Sequence, residues 1–224
     1  PLAPVGDGRV IDFLDSIAHD KAGTRCWAFR RYGFDHWFAA ALRDTASVDL
    51  ALATDQVVAA QPATLTATLY GYSSAGAVNP DHATRIAVNG TQVGDFYYDG
   101  QATCTASCSV AGVLLAANNT VSFQQLLQPG VPNDYAYLEE FTLAYTRALA
   151  PVNSSLCFNG QAGSNNYEVG NFPAGAAFRV ADVTAPADPV LLTGAVITNG
   201  AGGYGLRFGG YSAAGARYAV AENA

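Results

Sequence analysis

Lysine is almost missing from this sequence: Lys21 is the only one, and there is no methionine at all. The remaining cations are arginines, scattered singly or in pairs, against 18 acidic residues and a formal net charge of −7. No polybasic stretch exists to hold an anionic membrane, and no Lys/Arg cluster to match a phosphate backbone, so peripheral membrane and nucleic-acid partners are not expected. Charge of either sign is thin, at 13% of residues, while half of the 224 residues are apolar. A disordered chain has the opposite balance, so this one folds. Long apolar runs are missing too. The longest, Val110 to Ala117, is far short of the roughly 20 residues that cross a bilayer, and no membrane insertion is expected.

Helical periodicity is also scarce. His36 to Arg43, with Asp35 as N-cap, has the pattern for two turns, and Val110 to Ala117 for a short helical connection, but neither carries a long amphipathic stripe. The chain opens Pro1-Leu2-Ala3-Pro4 without the basic-then-apolar order of a signal peptide, which points to a processed or excised fragment.

Cysteine is sparse and informatively placed. None of the four sits in a Cys-x-x-Cys pair, and Cys104-Thr-Ala-Ser-Cys108 has no histidine nearby, so a zinc site lacks ligands and no metal or cofactor is expected. Disulfides are the expected state, which implies an oxidising, extracellular or cell-surface location. Asn89-Gly90-Thr91, Asn118-Asn119-Thr120 and Asn153-Ser154-Ser155 match the glycosylation acceptor pattern.

What the sequence does have is strand patterning. Ala46 to Thr54 and Pro62 to Tyr72 alternate apolar and polar positions with the period of two of a half-buried strand. Arg85 to Tyr98 holds two strand-like runs around Asn89-Gly90, a pair suited to the positive φ angles of a type I′ turn, and predicts a β-hairpin. Further runs at Asn119 to Leu127, Tyr135 to Tyr145, Ala177 to Val183, Pro189 to Thr198, Tyr204 to Phe208 and Arg217 to Ala221 are punctuated by Gly, Pro and Asn. Many short strands at this spacing predict an all-β sandwich or jelly roll. Ala148 to Ser155 has the composition of a connector, and a domain boundary is expected near residue 148, ahead of a glycine-rich, charge-poor remainder. No repeat of 20 to 50 residues recurs.

Three stretches resemble the non-catalytic region that precedes the catalytic domain in gingipain-type cysteine peptidases. They are Val10-Ile-Asp-Phe13 with Ile17 to Trp27; His82 to Gly94 with Asn118 to Phe123 and Tyr137 to Tyr145; and Tyr167 to Phe172 with Phe178 to Gly194 and Arg217 to Ala221. The resemblance implies a jelly roll over residues 31–147. It also implies a smaller β domain in which residues 1–30 pack with residues 148–224. With the two chain ends together, Cys26 comes beside Cys157, leaving Cys104 with Cys108. The family's catalytic Cys and His have no counterparts before Ala224, which implies a non-catalytic module with a peptidase domain elsewhere in the same precursor.

The residues agree with an absence of catalysis. His19, His36 and His82 read as turn or strand-end residues, and the adjacent Glu139 and Glu140 on a strand point to opposite faces and cannot flank one glycosidic bond. Asp99 and Asp134 beside loop signals read as solvated turn carboxylates sooner than calcium ligands. Tyr70, Tyr72, Tyr97, Tyr98 and Tyr135 are aromatic candidates for stacking on sugar rings, with Tyr97, Tyr98 and Tyr135 taken as glycan contacts. Two function classes stay open: an accessory or scaffolding module that binds glycan, and a self-associating structural subunit of a surface layer or fibre.

Overall fold

The computed structural model describes residues 8–20, 24–25, 37–173, 175, 177–200, 203–212 and 215–222. Among these the chain is strand and turn throughout, with a single 3₁₀ turn at Gly112–Leu114. No helix among the described residues is long and apolar enough to cross a membrane. The chain divides into two compact units, one of residues 16–145 and the other of residues 1–15 with 146–224. These divisions fall at 15/16 and 145/146, against the 30/31 and 147/148 expected from sequence.

The larger unit is built from β2 (Thr24–Arg25), β3 (Trp37–Phe38), β4 (Ala40–Arg43), β5 (Ser47–Ala53), β6 (Ala63–Gly71), β7 (His82–Val88), β8 (Thr91–Tyr98), β9 (Thr103–Val110) and β10 (Asn118–Gln125), with the parts of β1 (Asp12–His19) and β11 (Tyr135–Ala148) that fall within residues 16–145. One sheet runs β1-β11-β6-β9, with β4 also on β11, and the other runs β5-β10-β7-β8. The pairings are nested: β4 with β11, β5 with β10, β6 with β9 and β7 with β8, all antiparallel. That is one long hairpin of eight strands wound across two sheets, which is a jelly roll. The winding closes at the predicted turn, where Asn89 and Gly90 take φ values of 50° and 80° between Val88 and Thr91. Alternation supplies the core. Leu65, Ala67 and Leu69 of β6 and Phe141 and Leu143 of β11 meet Ile86 and Phe123 of the other sheet, all essentially inaccessible to water.

The expected helix over His36–Arg43 is a strand. His36 lies outside the described residues, but Ala40 to Arg43 pair with Leu138 to Tyr135 and show strand alternation, with Leu42 fully buried. Local helix propensity in a short Ala-rich run yields to a ladder of backbone hydrogen bonds and a buried face.

The smaller unit comprises β12 (Ser155–Asn159), β13 (Gly163–Phe172), β14 (Phe178–Asp182), β15 (Val190–Leu192), β16 (Val196–Gly200), β17 (Gly203–Ser212) and β18 (Arg217–Glu222). They form sheets in the orders β12-β18-β14-β15 and β13-β17-β16. Its core is aromatic: Phe158, Tyr167, Phe208 and Tyr218 pack with ring centroids 5.2–6.5 Å apart, joined by Phe13 from the N-terminal stretch. The glycine content of this region has a packing reason. A Cβ at Gly160 would come within 2.6 Å of the Tyr218 ring and 2.7 Å of the Tyr167 hydroxyl, so bare backbone is what lets these rings close. The run expected as one strand over Pro189–Thr198 is two strands, divided where Gly194 takes φ 85°. Val10 is tied into this unit by backbone hydrogen bonds to Asn166 and Glu168.

Candidate functional site

Buried polar residues of the jelly roll concentrate at one set of strand ends, with His82 and Thr84 on β7, Tyr98 on β8, Gln125 on β10 and Asp134 just before β11. Inside, His82 and Asp134 are fully buried and form a very short hydrogen bond between Nδ1 and Oδ1. The His82 Nε2 faces the Ser73 carbonyl at 3.0 Å. A carbonyl only accepts, so Nε2 carries a hydrogen; with a carboxylate at Nδ1, both ring nitrogens donate and the ring is an imidazolium. Burial by itself opposes this charge, yet the Asp134 hydrogen bond and charge, the Ser73 carbonyl and the Asp81 charge outweigh it and raise the His82 pKa. Asp81, also buried, accepts from the backbone N–H groups of Ala75 at 2.6 Å and Gly100 at 2.8 Å. Burial pushes its pKa up, but those two bonds and His82 hold it below the ordinary value.

The network continues through Gln125, which donates to Asp134 at 3.0 Å and accepts a short bond from Thr84. Tyr98 closes it with its hydroxyl 3.1 Å from Thr84 Oγ1 and its ring stacked on His82 at 4.9 Å. Gly71 makes room for the imidazole, since a Cβ there would come 2.7 Å from His82 Nε2.

On the outer side of the same strand ends lies a cleft of about 160 Å³ lined by Ala41, Arg43, Tyr72, Tyr135 and Tyr137 with Leu42 and Ala136 behind. Strand alternation connects the two sides, because Asp134 is committed to the interior network and its neighbour Tyr135 stands in the cleft. The backbone is clamped here. Asp44 N–H donates to the Asp134 carbonyl at 2.7 Å, Asp134 N–H to Asp44 Oδ1 at 3.1 Å, Tyr135 N–H to Ser73 Oγ at 2.9 Å and Tyr72 N–H to the Tyr135 carbonyl at 2.8 Å. Arg43 lies over the Tyr135 ring at 5.5 Å, and Tyr72 meets Tyr137 edge to face at 5.4 Å. Phe38 stacks on Tyr137 at 4.5 Å; both are largely buried, and they form the floor beneath the cleft and no part of its open rim.

Of the three tyrosines expected to touch glycan, Tyr135 alone lines this cleft. Tyr97 is 56% exposed, but on β8 of the other sheet. Tyr98 is a correction: at 8% exposure, and stacked on His82, its ring faces are covered and it cannot meet a ligand. Arg43 and Tyr137 were missed. A signal for Tyr137 was present, because Tyr135-x-Tyr137 puts two rings on one face of a strand.

The Cys104–Cys108 disulfide is also corrected. Both residues lie on β9, opposite Leu69 and Leu65 of β6, and both thiols are free. Four residues of extended strand separate their Cα atoms by about 13 Å, well beyond the roughly 7 Å that a disulfide can bridge. Cys157 is exposed on β12, whereas Cys26 and the proposed link between them lie outside the described residues. Burial pushes the Cys104 and Cys108 thiols up from their ordinary pKa. In the reduced protein at pH 7, iodoacetamide is therefore expected to label Cys157 faster than either, because the thiolate is the reactive form and access limits the rate. A non-reducing peptide map that found Cys104 joined to Cys108 would show that β9 is not continuous.

The remaining expected positions are spread over the fold. Asn118 and Asn153 are exposed. Asn89 is exposed as well, but its Nδ2 donates to the Leu114 carbonyl at 2.7 Å and to Asn119 Oδ1 at 2.9 Å. A sugar on that nitrogen leaves one hydrogen and breaks one of these bonds. Asp99 accepts from Asn79 at 3.1 Å, and no group of three or more His, Cys, Asp or Glu among the described residues is placed to hold a metal. Glu139 occupies a bulge, with Leu138 opposite Leu69 and Glu140 opposite Thr68. His19 stacks on Phe141 at 5.1 Å.

The chain matches no protein-family profile and no curated protein. Among solved structures, dimeric latent PorU from Porphyromonas gingivalis superposes with a TM-score of 0.70 at 9% identity, covering 96% of this chain and 21% of that one. The CUB1-EGF-CUB2 region of human MASP-1/3 aligns over 94% of this chain and 99% of that one, but at a TM-score of 0.25 and 5% identity the alignment establishes no common architecture. The chain thus shares the β architecture of about a fifth of PorU.

Proposed function

We propose that this chain is a non-catalytic, extracellular accessory or scaffolding module of a larger gingipain-like secreted protein, and that it binds glycan through the cleft formed by Arg43, Tyr72, Tyr135 and Tyr137. The observation that carries the first part is the likeness to PorU over 96% of the chain, with 21% of PorU matched. A peptidase domain in the same precursor and a Cys26–Cys157 bridge belong to the same proposal. For the second part the support is the cleft: amphipathic aromatic rings held by a clamped backbone beside an arginine.

The test is a glycan array with the purified chain, together with casein and peptide-panel cleavage assays. Binding to a defined glycan set that falls at least tenfold in Tyr72→Ala/Tyr135→Ala, without peptide cleavage, is the expected result. Specific cleavage, or binding unchanged in the double variant, would count against the reading.

One observation favours the self-associating alternative. Val190, Leu191, Val196 and Ile197 are each more than half exposed on β15 and β16, which end their sheets. Apolar edge strands are templates for pairing with another chain. Concentration-dependent sedimentation abolished by Ile197→Lys would support it.

A further inference from the structure

Resting on the glycan-binding reading, we infer that the cleft selects an acidic saccharide, with a single carboxylate-bearing pyranose seated on its tyrosines and its carboxylate on Arg43. Its size fits one ring. At about 160 Å³, it is comparable to an engineered cavity of roughly 150 Å³ that takes up benzene. The walls fit a ring with one apolar and several polar edges, because Tyr135 and Tyr72 border the cleft and the largely buried Tyr137 forms its floor, edge to face with Tyr72.

The charge preference comes from Arg43. Arg9, Arg85, Arg147 and Arg207 each lie 2.8–3.3 Å from a carboxylate. Arg43 is exposed, and the one interaction of its side chain among the described residues is with the face of Tyr135. The guanidinium is held over the Tyr135 ring at 5.5 Å and its N–H groups enter no ion pair among the described residues, so they are available for two parallel bonds to a carboxylate. The Tyr135 hydroxyl beside it takes part in no hydrogen bond among the described residues, and supplies a donor or acceptor for a sugar hydroxyl. The chain's net charge of −7 repels densely anionic polymers, so isolated carboxylates along a saccharide suit it better than sulfate-rich chains.

The experiment uses the full chain, a glucuronic-acid-containing oligosaccharide and the same oligosaccharide after carboxyl reduction, with binding read by titration calorimetry. Near-ultraviolet circular dichroism confirms that each variant is folded. The acidic form is expected to bind about tenfold tighter or more, Arg43→Gln to erase that difference while leaving weak binding of both, and Tyr135→Phe to weaken both forms alike. Equal affinity for the acidic and reduced forms, or a preference surviving Arg43→Gln, would overturn the carboxylate assignment and leave glycan binding standing. If neither form binds and the array also shows no ligand, both readings fail. An acidic peptide that displaces the oligosaccharide with equal affinity would overturn the saccharide class.

Discussion

Replacing Asp134 by alanine is expected to lower the unfolding free energy by about 3–5 kcal/mol, because it leaves a buried imidazolium without its main partner. The side chain accepts from both His82 and Gln125, so its removal also strands a buried amide N–H. The pH profile identifies the cause. His82 has a raised folded pKa, so its contribution is complete below the ordinary value of about 6.5 and disappears as pH rises through the folded value. Asp81 has a lowered folded pKa; its contribution is complete above about 4 and disappears as pH falls through the folded value. Stability is therefore expected to be greatest between about pH 4 and 6.5, with an acid limb and an alkaline limb. In Asp134→Ala the alkaline limb should flatten, since the Asp134 bond and charge are the largest effects raising the His82 pKa. Urea unfolding at a series of pH values measures both. A loss below 1 kcal/mol with the alkaline limb intact would mean that the pair does not hold this end of the sandwich.

Phe141→Ala is expected to cost about 3–5 kcal/mol, while Phe141→Leu should cost less than about 1.5 kcal/mol. Phe141 is fully buried on the central strand β11, packs against Phe123 of the opposite sheet at 5.3 Å and carries the stacked His19 on another side. Truncation opens a cavity between two sheets whose backbones are fixed by ladders on both sides, so collapse is limited. Equal losses for the two substitutions in chemical unfolding would show that the ring's shape, and not the filled volume, stabilises the interface.

The period-two segments show why much of the fold was legible. β5, β6, β7, β8, β10 and β11 were readable because their faces differ, and Asn89-Gly90 because few residue pairs accept two successive positive φ angles. β9 was not. Thr-Cys-Thr-Ala-Ser-Cys-Ser-Val lacks bulky alternation, and with no strand recognised there, nothing in the sequence opposed pairing Cys104 with Cys108. Segment 40–43 misled in the other direction, because four residues carry too little pattern to override an Ala-rich helical appearance.

The cleft shows the limit more sharply. Arg43, Tyr72 and Tyr135 are remote in sequence, and what joins them is the β4–β11–β6 register. Sequence offered five aromatic candidates and favoured Tyr97, Tyr98 and Tyr135, of which Tyr135 alone lines the cleft. Tyr97 and Tyr98 differ by one residue, yet one is exposed and the other is sealed over an imidazolium, because the pleat sends neighbours to opposite faces and only packing says which face is inside.

The sequence by itself determined the β class, the central hairpin and the net negative charge, because periodicity, turn chemistry and net charge are local or additive properties. Only the tertiary structure decided that His82, Asp134, Asp81 and Gln125 form one buried network, that Cys104 and Cys108 stay apart, and that Arg43 reaches an aromatic cleft. Those outcomes depend on which strands pair and in what register, and register is settled by the collective burial of two sheets.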